Sequence, residues 1–326
     1  MNSVLCTGLA LMIYLGADPQ PAKPGTVKPA RPESSETAKD PVELEYEKLV
    51  AKDEAALEEI EKWVQDFQRF EQQGAAGPKG ALIAKVDARL EEVRKDYEDF
   101  LARHPKHVDA RIAYGSFLNE TGEEAEAIVQ WEKARETAPN NPTPWNNLAN
   151  IYGHIGPVKK AFQYYEKAIE LNPNEPVYIQ NLATTVYLFR KDAAESYRID
   201  EKQIFDKALA LYRQAMKLDP TNLVLATDYA QSYYGIKPTR LEDALAAWKH
   251  ALTLAKSPLE REGIYLHLAR FELNNGRLQD AADHLALVNH PDLQEMKKRL
   301  ERNLEKKRTE GEEEKSPEAV VETKPE

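Results

Sequence analysis

Cysteine is almost missing from this chain. Its 326 residues hold one, Cys6, so the rest of the chain has no intrachain disulfide and no thiolate metal site. Positive charge is in deficit too: 44 Lys and Arg stand against 55 Asp and Glu, a formal net charge of -11. That balance argues against a nucleic-acid phosphate surface as the main role, which needs clustered cations. A basic run does occur, Lys297, Lys298 and Arg299 and then Lys306, Lys307 and Arg308, but Glu301 and Glu305 interrupt it and acidic residues follow. It reads as a solvated helix face. The sequence contains no H-E-x-x-H, G-x-S-x-G, P-loop or dinucleotide fingerprint. His104 and His107 straddle Pro105 and share no regular helical face, so no metal site, catalytic residue or cofactor is expected.

An apolar stretch uninterrupted by charge runs over residues 4–16. About thirteen residues suit the apolar region of a signal peptide and are too few to span a bilayer comfortably. A signal peptide over residues 1–17 and export to a bacterial periplasm or cell surface are therefore expected, with no other membrane-spanning segment. Two features weigh the other way. No Lys or Arg precedes Val4, and Leu15-Gly16-Ala17 meets the small-x-small cleavage rule only in part, which leaves an uncleaved anchor or a spurious start codon as the alternatives, and a cytoplasmic location beside the exported one.

Residues 18–40 carry Pro19, Pro21, Pro24, Pro29 and Pro32 and almost nothing to bury; a disordered linker is expected. From Pro41 to Gln73 the spacing of Leu44, Leu49, Leu57, Ile60, Val64, Phe67 and Phe70 predicts one amphipathic helix. Gly77-Pro78 breaks it. A second helix follows over residues 82–104, and the two together, within 41–107, form a degenerate repeat or cap.

Beyond residue 107 a pattern recurs. Trp145, Leu148, Ala149, Tyr152, Ala161, Tyr165, Ala168 and Pro173 fall within one 34-residue window. Matching small residues stand at Gly115, Ala149, Ala183, Ala230 and Ala269, where the two helices of a repeat would touch, and at Ala127, Ala161, Ala208, Ala244 and Ala281 early in the second helix. Four positions after these come Trp131, Tyr165, Tyr212, Trp248 and Leu285, and closing prolines stand at Pro139, Pro173 and Pro220. The pattern resembles the tetratricopeptide repeat, with Ala for Gly and Tyr for Phe. The resemblance implies an all-α fold, a right-handed α-solenoid of helix-turn-helix TPR repeats with helical caps. Five repeats are expected over 108–290, a capping helix over 291–308 and a disordered charged tail over 309–326.

The third repeat departs from the period. Ala183 and Ala230 are 47 residues apart, about thirteen more than the repeat requires. The insertion is placed at residues 190–203, with lengthened helices around a turn near 196–200.

The resemblance also implies that the first helix of each repeat lines a concave face. On that face lie Asn146, Asn147 and Asn150, then Gln180, Asn181 and Thr184, then Thr227, Asp228 and Gln231, and finally His267. Side-chain amides offer both donor and acceptor, so a row of them can pair with an extended peptide whatever its sequence. Asn147 and Asn181 are 34 residues apart and hence in register, while Ala113 in the first repeat cannot hydrogen-bond. Tyr187 and Tyr234, one turn further on, add apolar pockets. Arg270 with His267 is the basic pair on this face, able to receive one acidic group. The expected function is a non-enzymatic scaffold holding a protein or peptide partner. The alternative is a structural assembly protein that uses the insertion and outer face, its groove empty; an Asn at this position is also compatible with helix contacts alone.

Overall fold

A computed structural model describes residues 40–75 and 77–313; the expected leader, nearly all of the linker and the end of the tail lie outside the described residues. The described residues form fourteen α-helices and two short 3-10 segments, with no strand among them. This is the all-α solenoid class that the repeats predict. They fall into two compact units, 40–185 and 186–313.

Unit one opens with α1 (Pro41–Gln72) and α2 (Lys79–Arg103). The Asp40 carboxylate accepts from the Val42 amide at 3.0 Å, and Pro41 takes the first helical position, where its missing N–H costs nothing. Gly74, at φ +68°, ends the helix. The hairpin's register is set by three cross-links: Lys52–Asp96 at 2.9 Å, Arg89–Glu59 at 2.9 Å, and the Tyr97 hydroxyl donating to buried Asp53 at 2.8 Å.

Two regular helix pairs follow, α3 (Val108–Glu120) with α4 (Glu124–Thr137) and α5 (Pro142–Ile155) with α6 (Val158–Leu171). Gly122 and Gly156 make the turns in the left-handed region, at φ +88° and +74°, a conformation that costs a residue with a Cβ. The unit boundary falls within α7 (Pro176–Leu188).

Unit two contains α8 (Arg190–Tyr197), α9 (Glu201–Leu218), α10 (Leu223–Gln231), α11 (Leu241–Leu254), α12 (Pro258–Asn274), α13 (Leu278–Ala286) and α14 (Gln294–Glu313). Asp200 with Gln203 and Ser257 with Glu260 form capping boxes that start α9 and α12.

Packing explains the repeat signature. Ala149, Ala183, Ala230 and Ala269 are buried, as are Ala127, Ala161, Ala208, Ala244 and Ala281, and they let helix backbones approach closely. Trp131, Tyr165, Tyr212 and Trp248 have no exposed surface. Each fills the space that the small residues leave.

Two expectations need correction. The insertion does not lengthen the first helix of its repeat: α7 stops at Leu188, the backbone turns at Phe189, and α8 is a separate eight-residue helix. Arg198, at φ +55°, closes it within the expected turn. Only α9, at 18 residues against 14 for α6, is lengthened. Second, the capping helix runs on to Glu313, so residues 309–313 are helical instead of tail. Local pairs extend it: Lys306 lies 3.7 Å from Glu310 and the Thr309 hydroxyl donates to the Glu305 carbonyl at 3.0 Å.

Candidate functional site

In unit one the amide row is a bonded network. Asn181 Nδ2 donates to Asn146 Oδ1 at 3.0 Å, and Asn146 Nδ2 donates to Asn147 Oδ1 at 3.2 Å. The Tyr165 hydroxyl donates to Asn150 Oδ1 at 2.6 Å, and the Thr185 hydroxyl to the Asn181 carbonyl at 2.8 Å. Asn146 and Asn147 have 0% of their surface exposed, and Asn150, Asn181 and Thr184 at most 3%. Gln180 is half-buried. A buried amide is costly unless bonded, and here adjacent repeats satisfy one another across α5 and α7. Burial also pushes the Tyr165 phenol up. The row is thus a rigid polar floor, and Gln180 is its most accessible expected contact.

In unit two the expected residues separate. The Thr227 hydroxyl donates to its own helix, at the Val224 carbonyl, 2.8 Å away. Asp228 is buried and Gln231 half-buried. Tyr187 is buried against Phe205, ring centroids 6.0 Å apart, and its hydroxyl lies over Gly235, where a Cβ would stand 2.6 Å from it. Tyr187 therefore packs the repeat and forms no open pocket, which corrects its expected role.

Tyr234, His267 and Arg270 do come together. The Tyr234 hydroxyl lies 3.0 Å from His267 Nδ1, its ring stacks on Phe271 at 4.2 Å, and the Arg270 guanidinium stands over it at 5.4 Å. His267 lies flat on Trp248, centroids 4.1 Å apart and planes 5° apart. Burial, reinforced by the Arg270 charge, pushes the His267 imidazole down to about 3. It is neutral at physiological pH. The expected basic pair is corrected to one cation, Arg270, beside a neutral aromatic stack. Of the two rings that hold this cluster, Trp248 was visible in the sequence only as a large repeat residue, and Phe271 was not singled out.

A cleft of about 410 Å³ lies elsewhere, among α2, α3 and α4, and nothing in the repeat pattern marks it. Most of its polar lining is already engaged: Arg111 donates to the Pro105 carbonyl and to Gln130, and the Tyr114 hydroxyl bonds Glu98 at 3.0 Å. Among the described residues no helix is long and apolar enough to cross a membrane.

Residues 142–175 and residues 89–142 match two family models, each described as a tetratricopeptide repeat. Among solved structures, the C-terminal part of a TPR repeat-containing protein from Cytophaga hutchinsonii is similar at 16% identity and a TM-score of 0.50, over 76% of this chain and 93% of that one. That likeness is one of fold. A thermophilic TPR protein of Thermus thermophilus aligns at 22% identity with a TM-score of 0.44, over 60% of this chain and 98% of that one. MamA of Desulfovibrio magneticus aligns at 16% identity with a TM-score of 0.46, over 56% of this chain and 92% of that one. No curated protein matches the chain.

Proposed function

From the premise that this chain is a tetratricopeptide-repeat protein, and so a protein-interaction scaffold, we propose that it is non-enzymatic and grips an extended segment of a partner protein along the first helices of its repeats. The observation that carries this reading is the Asn181–Asn146–Asn147 amide relay. It locks α5 and α7 in register and so holds the half-buried Gln180 on a rigid floor, where its amide can pair with a peptide backbone at little entropic cost. In unit two the same role falls to the Tyr234–His267–Arg270 cluster, an aromatic surface with a cation beside it. That chemistry suits an apolar or acidic side chain. An extracytoplasmic location belongs to the same proposal and rests on the apolar run at residues 4–16.

The experiment is affinity capture from extracts of the source organism with the wild-type chain, Gln180→Ala, and Tyr234→Ala/Arg270→Ala, each first shown by circular dichroism to be folded. A partner captured by the wild type and lost from either variant supports the groove. A partner retained by both variants removes it.

A further inference from the structure

The hairpin of α1 and α2 begins as a packed pair and ends as a half-covered one, its distal apolar residues only partly buried. On its proximal half Tyr46, Leu49, Asp53 and Ala56 are buried. Beyond them no described residue from 57 to 85 is buried. Yet this stretch carries Leu57, Ile60, Trp63, Val64, Phe67 and Phe70 along α1, and Leu82 and Ile83 on α2. Phe70 is 43% exposed. A stripe at this spacing is the face of a helix that packs on more than one neighbour, and a pair of helices supplies only one.

Charge indicates what covers it. The Arg89–Glu59 pair and the Lys85 ammonium, 3.6 Å from the Trp63 ring centroid, set residues 57–72 of α1 beside 79–91 of α2. The α1 segment holds Glu58, Glu59, Glu61, Asp66 and Glu71 against Lys62 and Arg69, a net charge of -3. The α2 segment holds Lys79, Lys85 and Arg89 against Asp87 and Glu91, a net charge of +1. Two copies placed with α1 on α1 would oppose acidic faces. Placed with α1 of each on α2 of the other, they match opposite charges twice about one two-fold axis.

We propose that this arm is a self-association surface, on which a second copy of the chain lays its own hairpin to close a four-helix bundle about 24 Å long over the half-buried stripe. The arrangement is isologous, so it stops at a dimer. It is independent of what the repeats bind.

The test is sedimentation velocity on the full-length chain. A concentration-dependent equilibrium between the 37.0 kDa chain and its dimer is expected. Phe67→Glu/Phe70→Glu should raise the dimer dissociation constant about a hundredfold or more, while Val224→Glu, on an exposed residue of unit two, leaves it unchanged. Charge reversal provides a check that leaves the apolar stripe in place. Glu58→Lys/Glu61→Lys turns the α1 segment to +1, and Lys79→Glu/Lys85→Glu turns the α2 segment to -3. Each chain alone should dimerise more weakly than wild type, and an equimolar mixture more tightly than either. A wild-type chain that stays monomeric to about 100 μM, or a dimer indifferent to both sets of changes, would overturn the proposal.

Discussion

Trp131 lies so close over Gly115 that a Cβ on the glycine would stand 2.4 Å from the indole Nε1 and 2.6 Å from Cδ1. The indole is fully buried and its N–H donates to the Ile112 carbonyl at 3.1 Å, so the ring cannot swing away without losing that bond. Alanine is the better helix former by about 1 kcal/mol, but overpacking of this kind costs about 1–3 kcal/mol and the bond about 1 more. The clash should win. Gly115→Ala is expected to destabilise by about 2 kcal/mol, read from the midpoint of a urea melt, and a neutral or stabilising result would show that the ring has room. Repeat four supports the reasoning: Ala230 takes the glycine's place there, and the indole N–H of buried Trp248 has no partner among the described residues.

The amide floor makes a prediction that separates structure from binding. Removing the Asn181 side chain leaves the Asn146 oxygen buried without its 3.0 Å donor, a loss of about 1–3 kcal/mol. Val224, 57% exposed on α10, should tolerate alanine within about 0.5 kcal/mol. Thermal melts of Asn181→Ala and Val224→Ala check this, and equal stability of the two would mean that the relay holds nothing.

How much of this was legible in the sequence differs by feature. The small and aromatic positions were, because close approach of helices admits few residue types, and Ala149 opposite Tyr165 is constrained by volume alone. The break at Phe189 was not, since neither Gly nor Pro marks it and Leu188, Arg190 and Lys191 beside it favour helix. Nor could periodicity tell an open amide row from a closed one. It places Asn146, Asn147 and Asn181 on a shared face, but whether that face meets solvent depends on the neighbouring repeat. The same limit applies to the arm: the apolar spacing from Leu57 to Phe70 announces a packed face and does not say that the partner helix is too little to bury it.

His267 makes acid stability a test of the aromatic cluster. Its folded-state value of about 3 lies below the ordinary 6.5, so the unfolded chain binds this proton more readily. Stability from this group is fully present above about pH 6.5 and is lost as the pH falls toward 3, with a limiting slope of about 1.4 kcal/mol per pH unit. His267→Phe keeps a flat ring on Trp248 and removes the titration. Urea melts between pH 7 and pH 4 should show a shallower loss of stability for the variant than for the wild type. Parallel curves would place the acid-sensitive group elsewhere.

The C-terminal end of unit two should open before its interior does. Leu293 and Leu304 of the capping segment are buried against Leu285 and Val288, with Met296 and Leu300 partly covered beside them, so α14 closes an apolar face that α12 and α13 would otherwise expose. In a stack of repeats each element is held by its neighbours, and damage at one end spreads inward with decreasing effect. Leu304→Ala removes one anchor at a cost of about 2 kcal/mol. Hydrogen exchange should accordingly quicken most in α14, then in α13, and leave α3 to α6 at their wild-type rates. A uniform increase over all helices would instead mean that the chain unfolds as a single cooperative block, and the cap would then be one contributor to a shared core.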